Sequence, residues 1–126
     1  RGLDRGSVSA VSLIIPVPLH PSRKRKRGYN QAEWIAKGIS DVLHIPVDTH
    51  TLYRVRRTKP QKKLNDIERK QNLQGAFSVK CALPPNASIL LVDDIYTTGS
   101  TVDEAARCLQ AAGECKVYVA AVAIGG

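Results

Sequence analysis

One stretch limits the fold more than any other: Ile89-Leu90-Leu91-Val92-Asp93-Asp94-Ile95-Tyr96-Thr97-Thr98-Gly99-Ser100-Thr101. Its apolar start reads as a buried strand. Two adjacent carboxylates, Asp93 and Asp94, come next, and small polar or flexible residues run from Thr97 to Thr101. Val102, Ala105, Ala106, Leu109 and Ala112 then fall on one face of a helix, and Gly113 is a natural stop. Val117 to Ala123 reads as a second buried strand. The unit is strand, hydroxyl-rich bend, helix, strand.

The chemistry of the bend follows from its backbone. A strand-to-helix turn aims unpaired N–H groups and the positive end of the helix dipole at one point. The hydroxyls of Thr97, Thr98, Ser100 and Thr101 add donors there, and Gly99 lets the backbone approach a ligand closely. Such a cup suits a phosphate. Asp93 and Asp94 sit at the carboxyl end of the strand, where open parallel sheets bind ligands. Carboxylates repel phosphate and suit sugar hydroxyls, or a Mg²⁺ ion carried by the ligand. Phosphate at one end and diol or Mg²⁺ at the other describe a ribose 5-phosphate. The plain alternative is a capped helix after a core strand. No Walker lysine motif, G-x-G-x-x-G or G-x-S-x-G occurs.

The remaining elements alternate in the same way. Ser12 to Val17 is a short apolar strand bounded by Pro16 and Pro18, followed by a turn at Leu19-His20-Pro21. Asn30 is a good N-cap, with Glu33 three residues on, for a helix over about 31–43. Its buried stripe is expected at Ala32, Ile35, Ala36, Ile39, Val42 and Leu43, with Trp34 off that stripe. Val47 to Tyr53 reads as a strand, residues 54–72 as a long polar loop holding a short helix capped by Asn65 or Asp66, and Ala76 to Val79 as another strand. At 126 residues the chain reads as one domain. No apolar run reaches membrane length, so no insertion is expected, and the cytoplasm is the default. Cys81, Cys108 and Cys115 form no C-x-x-C pair, which supports neither a zinc ribbon nor a disulfide framework.

The net charge of +8 is unevenly spread. Residues 1–80 hold 17 Lys and Arg against 6 Asp and Glu; residues 81–126 hold 2 against 5. The excess lies in Arg23-Lys24-Arg25-Lys26-Arg27 and in Arg54, Arg56, Arg57, Lys59, Lys62 and Lys63. Polyanions are its natural partners, either pyrophosphate or nucleic acid. Tyr29, Trp34 and Tyr53 flank the clusters and offer ring faces to single-stranded bases, though aromatics are only 5% of the chain, a thin stacking platform.

The stretch from Ile89 to Thr101 resembles the PRPP-binding motif of type I phosphoribosyltransferases. Pro16-Val-Pro-Leu-His-Pro21, then Arg27-Gly-Tyr-Asn-Gln-Ala-Glu33, resembles the competence-protein ComF family. So does Arg57-Thr58 with Gln61, Leu64, Arg69, Asn72 and Gly75-Ala-Phe77. The resemblance implies a mostly parallel α/β sheet of about four to five strands with helices on both faces, a Rossmann-like three-layer fold. It implies a link to DNA uptake and its machinery, and Mg²⁺-dependent phosphoribosyl transfer to an acceptor it does not name. Asp93 and Asp94 would face the ribose and the Mg²⁺ that PRPP brings, without a separate protein-held metal. Thr97, Thr98, Gly99, Ser100 and Thr101 would hold the 5-phosphate. Pro18, Leu19 and His20 occupy the place of the pyrophosphate loop, and residues 54–72 that of a closing loop, with Arg54, Arg56, Arg57, Lys59 and Arg69 as pyrophosphate candidates. Family members often carry an upstream zinc ribbon and helix; residues 1–10 hold neither, so a fragment or a short form is expected. The competing function is a sensor that keeps the PRPP cup and binds single-stranded DNA through Arg23, Lys24, Arg25, Lys26, Arg27 and Tyr29.

Overall fold

The computed structural model describes residues 11–19, 30–55, 65, 67–68, 71, 74–96 and 100–124; of 94–96, 100 and 122–124 only the backbone is considered. Chain order is β1 (Leu13–Pro16), α1 (Gln31–Leu43), β2 (Leu52–Arg54), β3 (Phe77–Val79), β4 (Ala87–Tyr96), α2 (Ser100–Ala112) and β5 (Cys115–Ile124). β1, β4 and β5 form a parallel sheet in the order β1-β4-β5, and β2 and β3 form an antiparallel pair. The α/β class with a parallel sheet is as expected. Its strands divide differently: three run together, and two stand apart.

β4 lies at the centre and is apolar on both faces, as a parallel strand between helical layers must be. Ile89 and Leu91 point to one side, where they meet Ile15, Val17, Leu52 and Phe77, and Val102, Ala105 and Leu109 of α2. Val92 points to the other, with Ile14 of β1 and Ala36 of α1. The helices therefore cover opposite faces of the sheet, and the β2–β3 hairpin shares the α2 face.

Two expectations change. The stretch from Val47 to Tyr53 is not one strand. Val47 makes a single parallel bridge to Ile14, and the chain turns before β2 begins at Leu52. Asp48 causes the turn: one carboxylate oxygen accepts the N–H groups of His50 and Thr51 at 2.8 and 3.0 Å, the other the Thr51 hydroxyl at 2.5 Å. This is an Asx-type turn, a local competitor of the strand ladder. Partial burial works to raise the Asp48 carboxyl, but these bonds outweigh it and hold the group below its ordinary value.

The buried stripe of α1 is also shorter than expected. Ala32 and Ala36 are buried, but Val42 is 75% and Leu43 37% exposed. His44, left-handed at φ 58°, caps the helix and turns the chain back. Ile45 and Val47 then take the places beside Ile14 that Val42 and Leu43 were expected to fill. Ser40 secures the return by donating to the Ile45 carbonyl at 2.6 Å.

Leu109→Ala should lower unfolding free energy by about 2–5 kcal/mol, because Leu109 is fully buried. Val42→Ala should change it by no more than about 0.5 kcal/mol. Urea melts of the two variants check both; equal losses would restore Val42 to the core.

Candidate functional site

The candidate site begins where β1 stops. Pro16 pairs with Val92, and the Val17 N–H donates to the Val92 carbonyl at 2.8 Å. β4 continues to Tyr96 against β5, with Asp93 in register with Ala121. The sheet is therefore notched on the β1 side, and half-buried Asp93 is the first residue past the notch. Asp94 follows within the same strand. The carboxylates were expected at the strand's end; the strand extends three residues beyond Asp93, because β5 keeps pairing where β1 does not.

Only residues 97–99 separate the end of β4 from the start of α2 at Ser100. Such a short bend keeps the helix N-terminus at the carboxyl end of the sheet. Thr101 stands in the first turn of α2, half-buried. Thr97, Thr98 and Gly99 lie outside the described residues, and of Ser100 only the backbone position is known. On the other side of the notch, Pro18 and Leu19 leave the sheet half-buried.

Asn30 ties this edge together. It is 5% exposed. Its side-chain oxygen accepts the Ala32 N–H at 3.0 Å and caps α1, and its amide nitrogen donates to the Val17 carbonyl at 3.2 Å. A capping signal predicted the first bond. The second joins residues far apart in sequence, and no local pattern announces it. Asn offers a carbonyl acceptor and an amide donor on separate atoms, so one side chain makes both bonds. It thus fixes the chain's exit from β1 to the start of α1.

Glu104 is a second residue that local patterns miss. Arg107 grips its carboxylate with two bonds, Nε to Oε1 at 3.1 Å and Nη2 to Oε2 at 2.5 Å. The Gly75 N–H also donates to it. The Arg107 hydrogen bond is the largest cause that holds the Glu104 carboxyl below its ordinary range. Gly75 has φ +69°, a conformation that favours glycine. The carboxylate thus fastens the entry to β3 onto the helix whose first turn borders the site.

Arg54 does not lie in a loop. It is the last residue of β2, 8% exposed, with its guanidinium 4.8 Å from the centre of the Phe77 ring. Its cross-strand partner is Phe77, so packing within the hairpin accounts for its position. Tyr53 is likewise engaged, with Lys80 Nζ 4.5 Å from its ring centre. His20, Arg23, Lys24, Arg25, Lys26, Arg27, Tyr29, Arg56, Arg57, Lys59 and Arg69 lie outside the described residues. The short helix expected after residue 65 is helical at Ile67, Glu68 and Gln71, and Asn65 caps it: Asn65 and Glu68 exchange backbone-to-side-chain bonds at 2.8 and 3.0 Å.

Cys108 and Cys115 carry no nucleophilic signature, since burial pushes both thiols up. A cavity of about 430 Å³ lined by Asn86, Ser88, Glu114 and Cys115 opens at the amino ends of β4 and β5. It lies ~20 Å along β4 from Asp93 and is separate from the notch.

The sheet is thus notched at its carboxyl end, with Asp93 at the notch and the start of α2 a few residues on. Residues 2–125 match the phosphoribosyl transferase domain, and the chain belongs to that family. Competence protein F of Haemophilus influenzae is 40% identical over 108 residues, which cover 84% of this chain and 47% of that protein. Competence protein ComFC of Bacillus subtilis is 35% identical over 102 residues, 81% of this chain and 40% of that one. The chain thus spans just under half the length of these curated relatives. Orotate phosphoribosyltransferase from Aeropyrum pernix superposes with a TM-score of 0.54 at 18% identity, covering 97% of this chain and 53% of that one, a likeness of fold.

The Asn30 geometry sets an ordered series. Asn30→Asp keeps the cap but turns an acceptor toward the Val17 carbonyl, and should cost about 1–3 kcal/mol. Asn30→Ser should cost less, since it retains a cap and removes the amide without opposing two acceptors. Thermal melts of both variants check the order; the reverse order would remove the Val17 bond from the account.

Proposed function

We propose that this chain binds PRPP at the carboxyl end of β4 and transfers its phosphoribosyl group, with Mg²⁺, to an acceptor. The observation that carries the reading is the notch: β4 and β5 run past the end of β1, and this sets Asp93 beside an open edge, with six residues between it and the start of α2. Family membership supports it.

Departure of pyrophosphate from C1 leaves positive charge on the sugar. The site must hold the ring, compensate that charge and exclude water. Asp93 and Asp94 are suited to the ribose hydroxyls and the developing charge. Thr97, Thr98, Gly99, Ser100 and Thr101 are suited to the 5-phosphate at the start of α2. By the family resemblance Pro18, Leu19 and His20 would lie beside the departing pyrophosphate, and Arg56, Arg57, Lys59 and Arg69 would supply positive charge to it. Adjacent carboxylates fit Mg²⁺, which takes one or two of them along with phosphate oxygens. When bound, the ion neutralises charge on the leaving pyrophosphate. The relatives are named competence proteins, and we extend this to a role in DNA uptake in the cytoplasm.

Asp93→Asn/Asp94→Asn should weaken PRPP binding in the presence of Mg²⁺ by about 10-fold or more, the value of one lost charge-assisted bond. Titration calorimetry reads this, with a melting curve to show that the variant is folded. Undiminished affinity in a folded variant would reject the site. Acceptor-dependent pyrophosphate release tests turnover separately.

The segregation of charge favours a second reading, a non-catalytic PRPP sensor that binds single-stranded DNA. Residues 1–80 carry 17 Lys and Arg against 6 Asp and Glu. Lys80 Nζ already lies over one face of the Tyr53 ring, 4.5 Å from its centre. Replacing Arg23, Lys24 and Arg25 with Ala should lower the slope of log affinity against log salt by about 2 if the run neutralises phosphates. An unchanged slope excludes the run as the contact.

A further inference from the structure

Strand β5 has the composition of an interior strand but stands at the edge of its sheet. The order is β1-β4-β5, and among the described residues no strand lies on the outer side of β5. Edge strands are ordinarily guarded against pairing with a like strand by a charge, a proline, a bulge or short length. β5 is ten residues long and keeps one register against β4 from Cys115 to Ile124. From Val117 to Ile124 it holds no charged residue, no proline and no glycine. Val119 is 46% exposed, and Ala121 on the same face is exposed too.

The register shows which backbone groups face outward. The N–H and C=O of one strand residue point to the same side, and the side alternates along the strand. The Val17 N–H bonds the Val92 carbonyl, so Val92 faces β1 and Leu91 faces β5. Leu91 lies opposite Val119, so its bonds go to the residues on either side, Tyr118 and Ala120. The backbone groups of Val117, Val119 and Ala121 therefore point away from the sheet, and those of Ala123 follow in the same phase.

We propose that this edge pairs with the β5 edge of a second copy of the same chain, antiparallel about a two-fold axis at Ala120, so that the two sheets become one. In that register Val119 lies opposite the second copy's Ala121, and Val117 opposite its Ala123. Each pair exchanges two bonds, and symmetry repeats both pairs, for about eight bonds in all. A second copy is the occupant that the strand itself selects, because the guarding devices act against a strand's own kind and this span carries none of them. Antiparallel pairing also sends the two Lys116 residues to opposite ends of the joint, ~26 Å apart along the strands, where parallel pairing would set them side by side. Each exposed Val119 is covered beside the second copy's Ala121. A strand edge buries less than the about 800 Å² per partner of a standard interface, so the dissociation constant is expected in the micromolar range or above.

The inference stands on this strand and not on the proposed reaction. Sedimentation of the full chain should show the mass doubling with concentration. Amide hydrogen exchange reads the register: over the same range the N–H groups of Val119 and Ala121 should slow by about tenfold or more, while those of Tyr118 and Ala120, already bonded to β4, stay slow throughout. Val119→Lys should weaken the dimer by about tenfold or more with an unchanged melting curve of the monomer, because it places a charge on an exposed edge position. Val119→Thr, which keeps the branched shape, should leave the dimer within about twofold. A monomer at every accessible concentration overturns the proposal. So does a dimer indifferent to Val119→Lys. Val119 and Ala121 amides that are already slow in the monomer also overturn it, since they assign the edge to another segment of the chain.

Discussion

The structure depends on burying β4 from both sides at once. A strand that is apolar on each face cannot rest against water on either, so two layers must form. α2, which follows it, covers Ile89 and Leu91; α1, which precedes it by about half the chain, covers Val92. Parallel pairing with β1 and β5 satisfies the β4 backbone over the same residues. Everything near Asp93 inherits its position from that arrangement.

The site exists because the neighbours of β4 differ in length. β1 ends at Pro16, one residue short of Asp93's level, whereas β5 accompanies β4 to Tyr96. Proline has no N–H to donate and favours a strand's edge or end. The notch is thus a consequence of where β1 must stop. Asn30 keeps it from drifting, since it holds the Val17 carbonyl and the first turn of α1 with one side chain. On the far side, Glu104 joins α2 to Gly75 at the entry to the hairpin. The hairpin in turn engages Arg54 with the Phe77 ring and Tyr53 with Lys80, contacts that sequence position alone does not announce.

Much of this was legible in the chain. The span of α1, Gln31 to Leu43, follows from Asn30 and the spacing of Ala32, Ile35, Ala36 and Ile39. The unit from β4 through α2 to β5 follows from apolar runs on either side of a helical pattern, signals that arise within a few residues of one another. Two signals misled for physical reasons. Alternation from Val47 to Tyr53 looked like a strand, but the Asp48 carboxylate outbid the ladder by binding backbone two and three residues on. Val42 and Leu43 continued an apolar stripe that the sheet no longer reached, because His44 had turned the chain.

The sequence by itself determined which residues are candidates for the chemistry: adjacent carboxylates after an apolar strand, a hydroxyl-rich stretch, a helix start, and an excess of cations elsewhere. Those are local facts of composition and spacing, and they do not need a fold to be read. Tertiary structure alone decided what stands beside them. That β1 stops one residue short of Asp93, that Asn30 reaches back to Val17, that Glu104 holds Gly75 and that Arg54 turns into the hairpin are all contacts between distant parts of the chain. Such contacts depend on packing in three dimensions, and no pattern within a single segment encodes them.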